Sequence, residues 1–228
     1  HHRRAAARTG NWHSADVFLT IAGSSCSGKT TAVRACAQID GLVVHDFDEI
    51  GVPSGADVVW RQRSLQEWIR RALRLQADGL DMLLTGQSPL GEVLACPSAV
   101  ELDAIAACLL DVDDQVRRQR LERRDPGKWD AEATRKFIGW ARWHRGHAAD
   151  PRHLPEAITA AGDERMRWDR WSGWTAGDPR WNVRVIDTTG RSVDQSAAGI
   201  RQWVNDARAD FAAGRLALHH GAWAAHRR

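Results

Sequence analysis

The chain alternates short, nearly continuous apolar runs with longer stretches in which apolar residues recur every three or four positions. The runs Val17–Gly23, Leu42–His45, Met82–Thr85, Ile105–Val112 and Val183–Ile186 read as strands buried on both faces. Helical spacing predicts helices over Lys29–Ile39 and over Asp57–Ala77, where Val58, Leu65, Trp68, Ile69, Ala72 and Leu75 share a face and Gly79 is the stop. Further helices are expected over "DDQVRRQRLERRD", ended by Asp125-Pro126-Gly127, over "DAEATRKFIGWARWHR", and from Val193 to about Phe211. Strands alternating with helices predict an α/β domain with a parallel sheet covered by helices. Between Trp129 and Trp181 the pattern weakens into a loop-rich region with Pro151, Pro155, Gly162, Gly173, Gly177 and Pro179. One domain is therefore expected over 17–212. The basic stretch 1–16 reads as a disordered arm or the remnant of a purification tag, and 213–228 as a frayed tail.

Composition adds limits. With 228 residues, 43% of them apolar, the chain can bury one sizeable core. A net charge of +3 is too small to argue for a nucleic-acid partner. Only Lys29, Lys128 and Lys136 are lysines; the other cations are arginines. A GC-rich genome or bidentate phosphate recognition would each account for that bias. Cys26, Cys36, Cys96 and Cys108 lack paired spacing and read as free thiols of a reducing compartment. No apolar run approaches the ~18 residues of a membrane span, so no membrane partner is expected, and the location read from this is the cytoplasm.

The first strand runs into "GSSCSGKTT". Gly23, Gly28, Lys29 and Thr30 satisfy G-x-x-x-x-G-K-[ST]. In such a loop successive amides point inward as an anion nest, and the helix that follows adds its positive end. The whole stretch Gly23, Ser24, Ser25, Cys26, Ser27, Gly28, Lys29, Thr30 and Thr31 is the candidate nucleotide cradle. Lys29 would bridge the β- and γ-phosphates of ATP, and the Thr30 hydroxyl would hold Mg²⁺.

The second strand ends in "HDFDEI". Asp46 and Asp48 stand two apart, and alternation along an extended chain puts both on one side, at the ligand edge of an open parallel sheet. Two carboxylates beside a triphosphate need a cation between them. Mg²⁺ and a hydroxyl substrate would give one of them metal waters to hold and the other a proton to accept. An acidic loop that merely starts a helix is the plain alternative.

The loop, the D-x-D and the later "RLERR" together resemble the P-loop small-molecule and nucleotide kinases, which include shikimate, gluconate and adenylate kinases and chloramphenicol phosphotransferase. The resemblance covers roughly 17–125 and 182–205. It implies a five-stranded parallel sheet in the order 2-3-1-4-5, with 125–181 as a helical lid insertion rich in Trp and Arg. It implies Mg²⁺ at Thr30 and Asp46, and Asp48 as base or substrate anchor, though the two aspartates could exchange roles. It also implies a lid helix whose Arg120 packs on the adenine and whose Arg124 reaches the phosphates. Arg117, Arg120 and Arg124 do fall on one helical face. The loop after the fifth strand, Thr188 to Arg191, would lie against the base, with Thr189, Gly190 and Arg191 as candidate contacts. The sequence departs from relatives in this group as well. It has no "DGFPR"-type substrate signature and no guanine-reading N-K-x-D, and Asp81 lies at the wrong end of the third strand to serve a metal.

The acceptor side is less legible. Arg61 and Arg63 could face an acidic substrate or simply solvent, and Gln87 and Ser88 follow the third strand. Trp129, Trp140, Trp143, Trp168, Trp171, Trp174 and Trp181 would form a small core of the insertion, a flat pocket wall or a platform for bases. His144, His147 and His153 could ligate metal by count alone, without a motif. The expected function is transfer of the γ-phosphoryl group of Mg-ATP to a hydroxyl of a small molecule such as a nucleoside, a sugar or an antibiotic-like metabolite. A kinase of nucleic-acid ends and a non-catalytic nucleotide-binding regulator are the alternatives.

Overall fold

The five apolar runs form strands β1 (Val17–Ala22), β2 (Leu42–Asp46), β3 (Asp81–Thr85), β4 (Ala104–Asp111) and β5 (Val183–Asp187) of one sheet. All neighbours pair in parallel, in the order β2-β3-β1-β4-β5. The computed structural model describes residues 16–224; the expected N-terminal arm lies almost wholly outside them. The register sets Ile21 and Asp46 each opposite Thr85, and Asp111 opposite Asp187, so the carboxyl ends of the strands form one edge.

Helices α1 (Lys29–Arg34) and α7 (Val193–Ala212) cover one face, over Leu19, Ile21, Leu83, Ala106 and Cys108. Helices α2 (Val58–Ala77), α3 (Leu90–Ala95) and α5 (Ala131–Ala149) cover the other, over Phe18, Met82, Leu84 and Ile105. The alternation along β1 and β3 divides their side chains between the two cores. Helix α4 (Asp114–Arg124) follows β4, and the short α6 (Glu156–Thr159) lies in the loop-rich region. No described helix is long and apolar enough to cross a membrane.

Several boundaries differ from expectation. Regular α-helix after the loop ends at Arg34 instead of Ile39. The chain continues in tighter turns, Cys36 to Val33, Ala37 to Arg34 and Ile39 to Cys36, each donor bonding three residues back. A six-residue helix contributes little dipole, so anion binding must rest on the loop amides and Lys29. The stretch after β3 holds α3 and the 3-10 turn Pro97–Glu101, both too short for periodicity to reveal. The tail is not frayed over its described part. Ile105 N donates to Leu218 O at 2.9 Å and His220 N to Asp103 O at 2.8 Å, while Leu218 and Trp223 bury in the core.

The tryptophans do not form a core of their own. Trp143, Trp171, Trp174 and Trp181 pack into the same cluster as Phe18, Met82 and Leu84. Trp140 and Trp143 stack at 4.6 Å, and Trp143 stacks on His147 at 4.6 Å. The indole N–H groups of Trp143, Trp171 and Trp181 each reach a backbone carbonyl, of Leu154, Gly91 and His147 respectively. Much of 131–181 is thereby fixed against the sheet.

His144 and His147 are enclosed in this cluster, and the described residues contain no cluster suited to a metal ion. Burial pushes His147 down to about 4 and His144 well below its usual range. The unfolded chain protonates these rings near 6.5, whereas the fold keeps them neutral. Their contribution is thus intact above 6.5 and lost as pH falls towards the folded values. Unfolding free energy should fall between pH 6.5 and 5, above the carboxylate range, with a slope approaching roughly 1.4 kcal/mol per pH unit for each ring. Urea titrations across that interval check this; a flat profile would contradict it.

Candidate active site

The loop from β1 to α1 is shaped by what binds its carbonyls. Lys29 Nζ donates to Gly23 O at 2.6 Å and to Ser24 O at 3.1 Å. The Ser25 carbonyl accepts from Arg117 and the Cys26 carbonyl from Arg120. Thr188 Oγ1 lies 3.1 Å from Ser27 O and 2.9 Å from Asp111 O. Five successive carbonyls are thus held, whereas no protein acceptor among the described residues takes the amides of Ser25 to Gly28. That arrangement leaves the amides free to serve an anion. Glycine is required at both ends of the loop. A Cβ on Gly23 would stand 2.4 Å from Leu110 O, and Gly28 has φ +92°.

Asp46 ends β2, and the chain then coils into a 3-10 turn, Phe47–Ile50. Asp46 caps this turn, accepting from Asp48 N at 3.1 Å, and Glu49 returns a bond to Asp46 N at 2.9 Å. The fully buried Trp68 of α2 anchors the turn by donating to Phe47 O at 3.1 Å. Strand alternation therefore does not orient both aspartates, as the sequence suggested. Both border the cavity because the turn swings Asp48 round beside Asp46. Thr30 Oγ1 donates to Asp46 Oδ2 at 2.9 Å. A hydroxyl and a carboxylate beside an amide nest are hard oxygen donors. They suit Mg²⁺, which takes one or two carboxylates and completes its shell with phosphates and water.

These groups line one cavity of about 1050 Å³ at the carboxyl edge of the sheet. Ser25 to Thr31, Asp46, Asp48, Arg61, Gln87, Arg120, Arg124 and Arg191 all border it. Arg124 also pairs with Asp125 at 2.9 Å. Other expected contacts do not reach it. Gly23 and Ser24 lie behind the loop, Ser24 Oγ donating to Phe137 O at 3.0 Å. Arg63 turns away to Asp163, and Ser88 is buried outside the cavity. Thr189 bonds Asp187 and Asp113, and Gly190 is a turn with φ +68°; of that loop Thr188 and Arg191 reach the cavity, joined by Ser192, Val193 and Ser196. None of the clustered tryptophans forms its wall; Trp60 does, with Phe47 edge-on at 5.9 Å. Sequence reading missed Trp60, although a first-turn position on the helix after the D-x-D turn points to this edge.

Burial and the nearby Arg117 lower Lys29 to about 8, against the pull of Asp46 and Asp48. Asp48 moves the other way: burial raises it, Asp46 adds to the rise, and Lys29 opposes it. A carboxylate so raised is a better proton acceptor than an ordinary one.

No described protein family matches the sequence, and no curated protein does. Solved structures do match. A sugar kinase of Janibacter sp. HTCC2649 shares 16% identity over 84% of this chain and 96% of its own, with a TM-score of 0.55. A kinase-like protein of Chloroflexus aurantiacus shares 12% identity over 86% and 99%, with a TM-score of 0.50. A gluconokinase of Sinorhizobium meliloti 1021 shares 13% over 84% and 95%, with a TM-score of 0.48. At such identities the likeness bears on fold alone, and the first two carry it. With its strand order, its phosphate loop after β1 and these neighbours, the chain has the P-loop kinase fold.

Proposed function

We propose that the protein transfers the γ-phosphoryl group of Mg-ATP to a hydroxyl of a small molecule such as a nucleoside, a sugar or an antibiotic-like metabolite. The observation that carries this reading is a nest of free amides with Lys29 facing Asp46 and Asp48 across one cavity. The loop amides and Lys29 hold the β- and γ-phosphates. Thr30 and Asp46 would hold Mg²⁺, which when bound would neutralise phosphate charge. Asp48 accepts the hydrogen bond of the acceptor hydroxyl and takes its proton as the new O–P bond forms and the bond to the β-phosphate oxygen breaks, releasing ADP. Arg120 and Arg124 border the phosphate side, where charge develops.

Nucleotide affinity has a pH signature. An anionic nucleotide binds the protonated form of Lys29, which predominates at pH 7 because burial and Arg117 bring the group down only to about 8. Affinity is expected to be level up to pH 7 and to weaken as pH rises past about 8. Calorimetry with Mg-ATP between pH 6.5 and 9.5 tests this. An unchanged affinity at pH 9.5 would show that Lys29 does not contribute as a cation.

The function itself is tested by ADP release in an acceptor screen, with Lys29→Ala as the control that should be silent. Acceptor-dependent release that stops in the control supports the reading. Binding of Mg-ATP without transfer to any metabolite would favour a regulator, and transfer confined to oligonucleotide ends would favour a nucleic-acid kinase.

A further inference from the structure

Resting on that reading, the acceptor wall narrows the substrate. Its obvious cation, Arg61, is already committed. Both oxygens of Glu92 accept from it, Nε to Oε2 at 3.0 Å and Nη2 to Oε1, and its guanidinium stacks over Trp140 at 5.5 Å from the ring centre. Glu92 is fully buried and takes a further bond from Gln62 Nε2 at 3.1 Å. A carboxylate without access to water holds its partner tightly, and together the two carry no net charge. The remaining charged groups on this side, Asp46, Asp48 and Asp57, are acidic. The cavity cations without an acidic partner among the described residues, Lys29, Arg120 and Arg191, sit on the phosphate loop or on the Thr188–Arg191 turn beside it, the nucleotide side of that reading. A phosphate or carboxylate on the acceptor would meet repulsion with no free cation to offset it.

The same wall is apolar where it is not acidic. Trp60 meets Phe47 edge-on, and Val52, half exposed at 51%, stands at the rim with Ala56 and Val58. A ring corner with exposed aliphatic groups suits a flat apolar surface. We propose that the acceptor is an alcohol free of phosphate and carboxylate groups, with a flat apolar face that lies on Trp60 and directs its hydroxyl to Asp48.

The test uses matched acceptors with the full chain and Mg-ATP: a nucleoside against its 5′-monophosphate, a sugar against its aldonate, and an aryl alcohol against the aryl hydroxy acid. The uncharged member of each pair that reacts should show at least about tenfold higher kcat/KM, and the aryl alcohol should exceed the plain sugar. Trp60→Ala should raise KM for the aryl alcohol severalfold with less change in kcat. Glu92→Gln releases the charge of Arg61 and should raise kcat/KM for the anionic members selectively; if it does not fold, the acceptor pairs and Trp60→Ala still decide. Preference for the anionic members, or an aryl alcohol KM indifferent to Trp60, would overturn the inference while leaving phosphotransfer in place. Failure of every acceptor despite Mg-ATP binding would instead remove the proposed function, and this inference with it.

Discussion

Replacing Asp48 by Asn is expected to lower kcat by about 10²- to 10⁴-fold, the usual weight of a general base, and to leave Mg-nucleotide binding close to normal. The separation of effects follows from its bonding. The Asp48 carboxylate accepts no hydrogen bond from the described residues; only its backbone is engaged, the N–H by Asp46 and the carbonyl by Gly51 N. An amide of the same shape should therefore leave the turn intact. Asp46 is different. Its two oxygens receive Thr30 Oγ1 and Asp48 N, so Asp46→Asn should loosen the turn and weaken the metal site, reducing Mg-nucleotide affinity first. The pH profile supplies an independent check. Burial and Asp46 raise Asp48 in the free protein, so the deprotonated base is lost as pH falls through a value above that of an ordinary aspartate, and the acid limb of kcat/KM should lie there. That limb should vanish in Asp48→Asn. If Asp48→Asn keeps full kcat while Asp46→Asn loses it, the two roles are exchanged; if both keep it, the protein is not a phosphotransferase of this kind.

The parts legible in sequence are those for which local pattern and tertiary demand coincide. Strands covered on both faces must be apolar throughout, and β1, β3 and β4 read as such runs. The loop motif fixes glycines by backbone angle and by close approach to Leu110, and both causes act within a few residues. Asp81 begins β3, and there it accepts from Val17 N and pairs with Arg208, at the end of the sheet far from the cavity. What stayed illegible depends on partners distant in the chain. The turn that brings Asp48 beside Asp46 is anchored by Trp68, and nothing near the D-x-D announces that bond. Arg61 looks like a free cation until Glu92, thirty-one residues on, is seen beside it. The tryptophans suggested a separate core because they crowd in sequence, yet the sheet supplies their neighbours.

The hardest residue to read was Arg117, and it carries the second large effect. On the helical wheel it shares a face with Arg120 and Arg124 and would be taken for a phosphate contact. In the fold it is fully buried beneath the loop. It donates to Ser25 O, to Asp111 Oδ1 at 2.6 Å and to Val112 O at 3.3 Å, while Arg145 takes the other Asp111 oxygen at 3.2 Å. Arg117→Met would leave the buried Asp111 with one partner and the Ser25 carbonyl with none. Breaking a buried pair from one side costs about 3–5 kcal/mol, and a loss of that order is expected in urea unfolding. Because much of the cost is the stranded carboxylate, Asp111→Asn combined with Arg117→Met should recover part of it. Nucleotide binding reports a second, separate consequence. Without Arg117 the Ser25–Cys26 peptide is no longer held with its carbonyl outward, so Mg-ATP affinity should fall even in the double variant. Arg117 also helps depress Lys29, so the pH at which affinity declines should move upward from about 8. A variant with wild-type stability and an unmoved pH dependence would mean that the loop keeps its shape without this arginine.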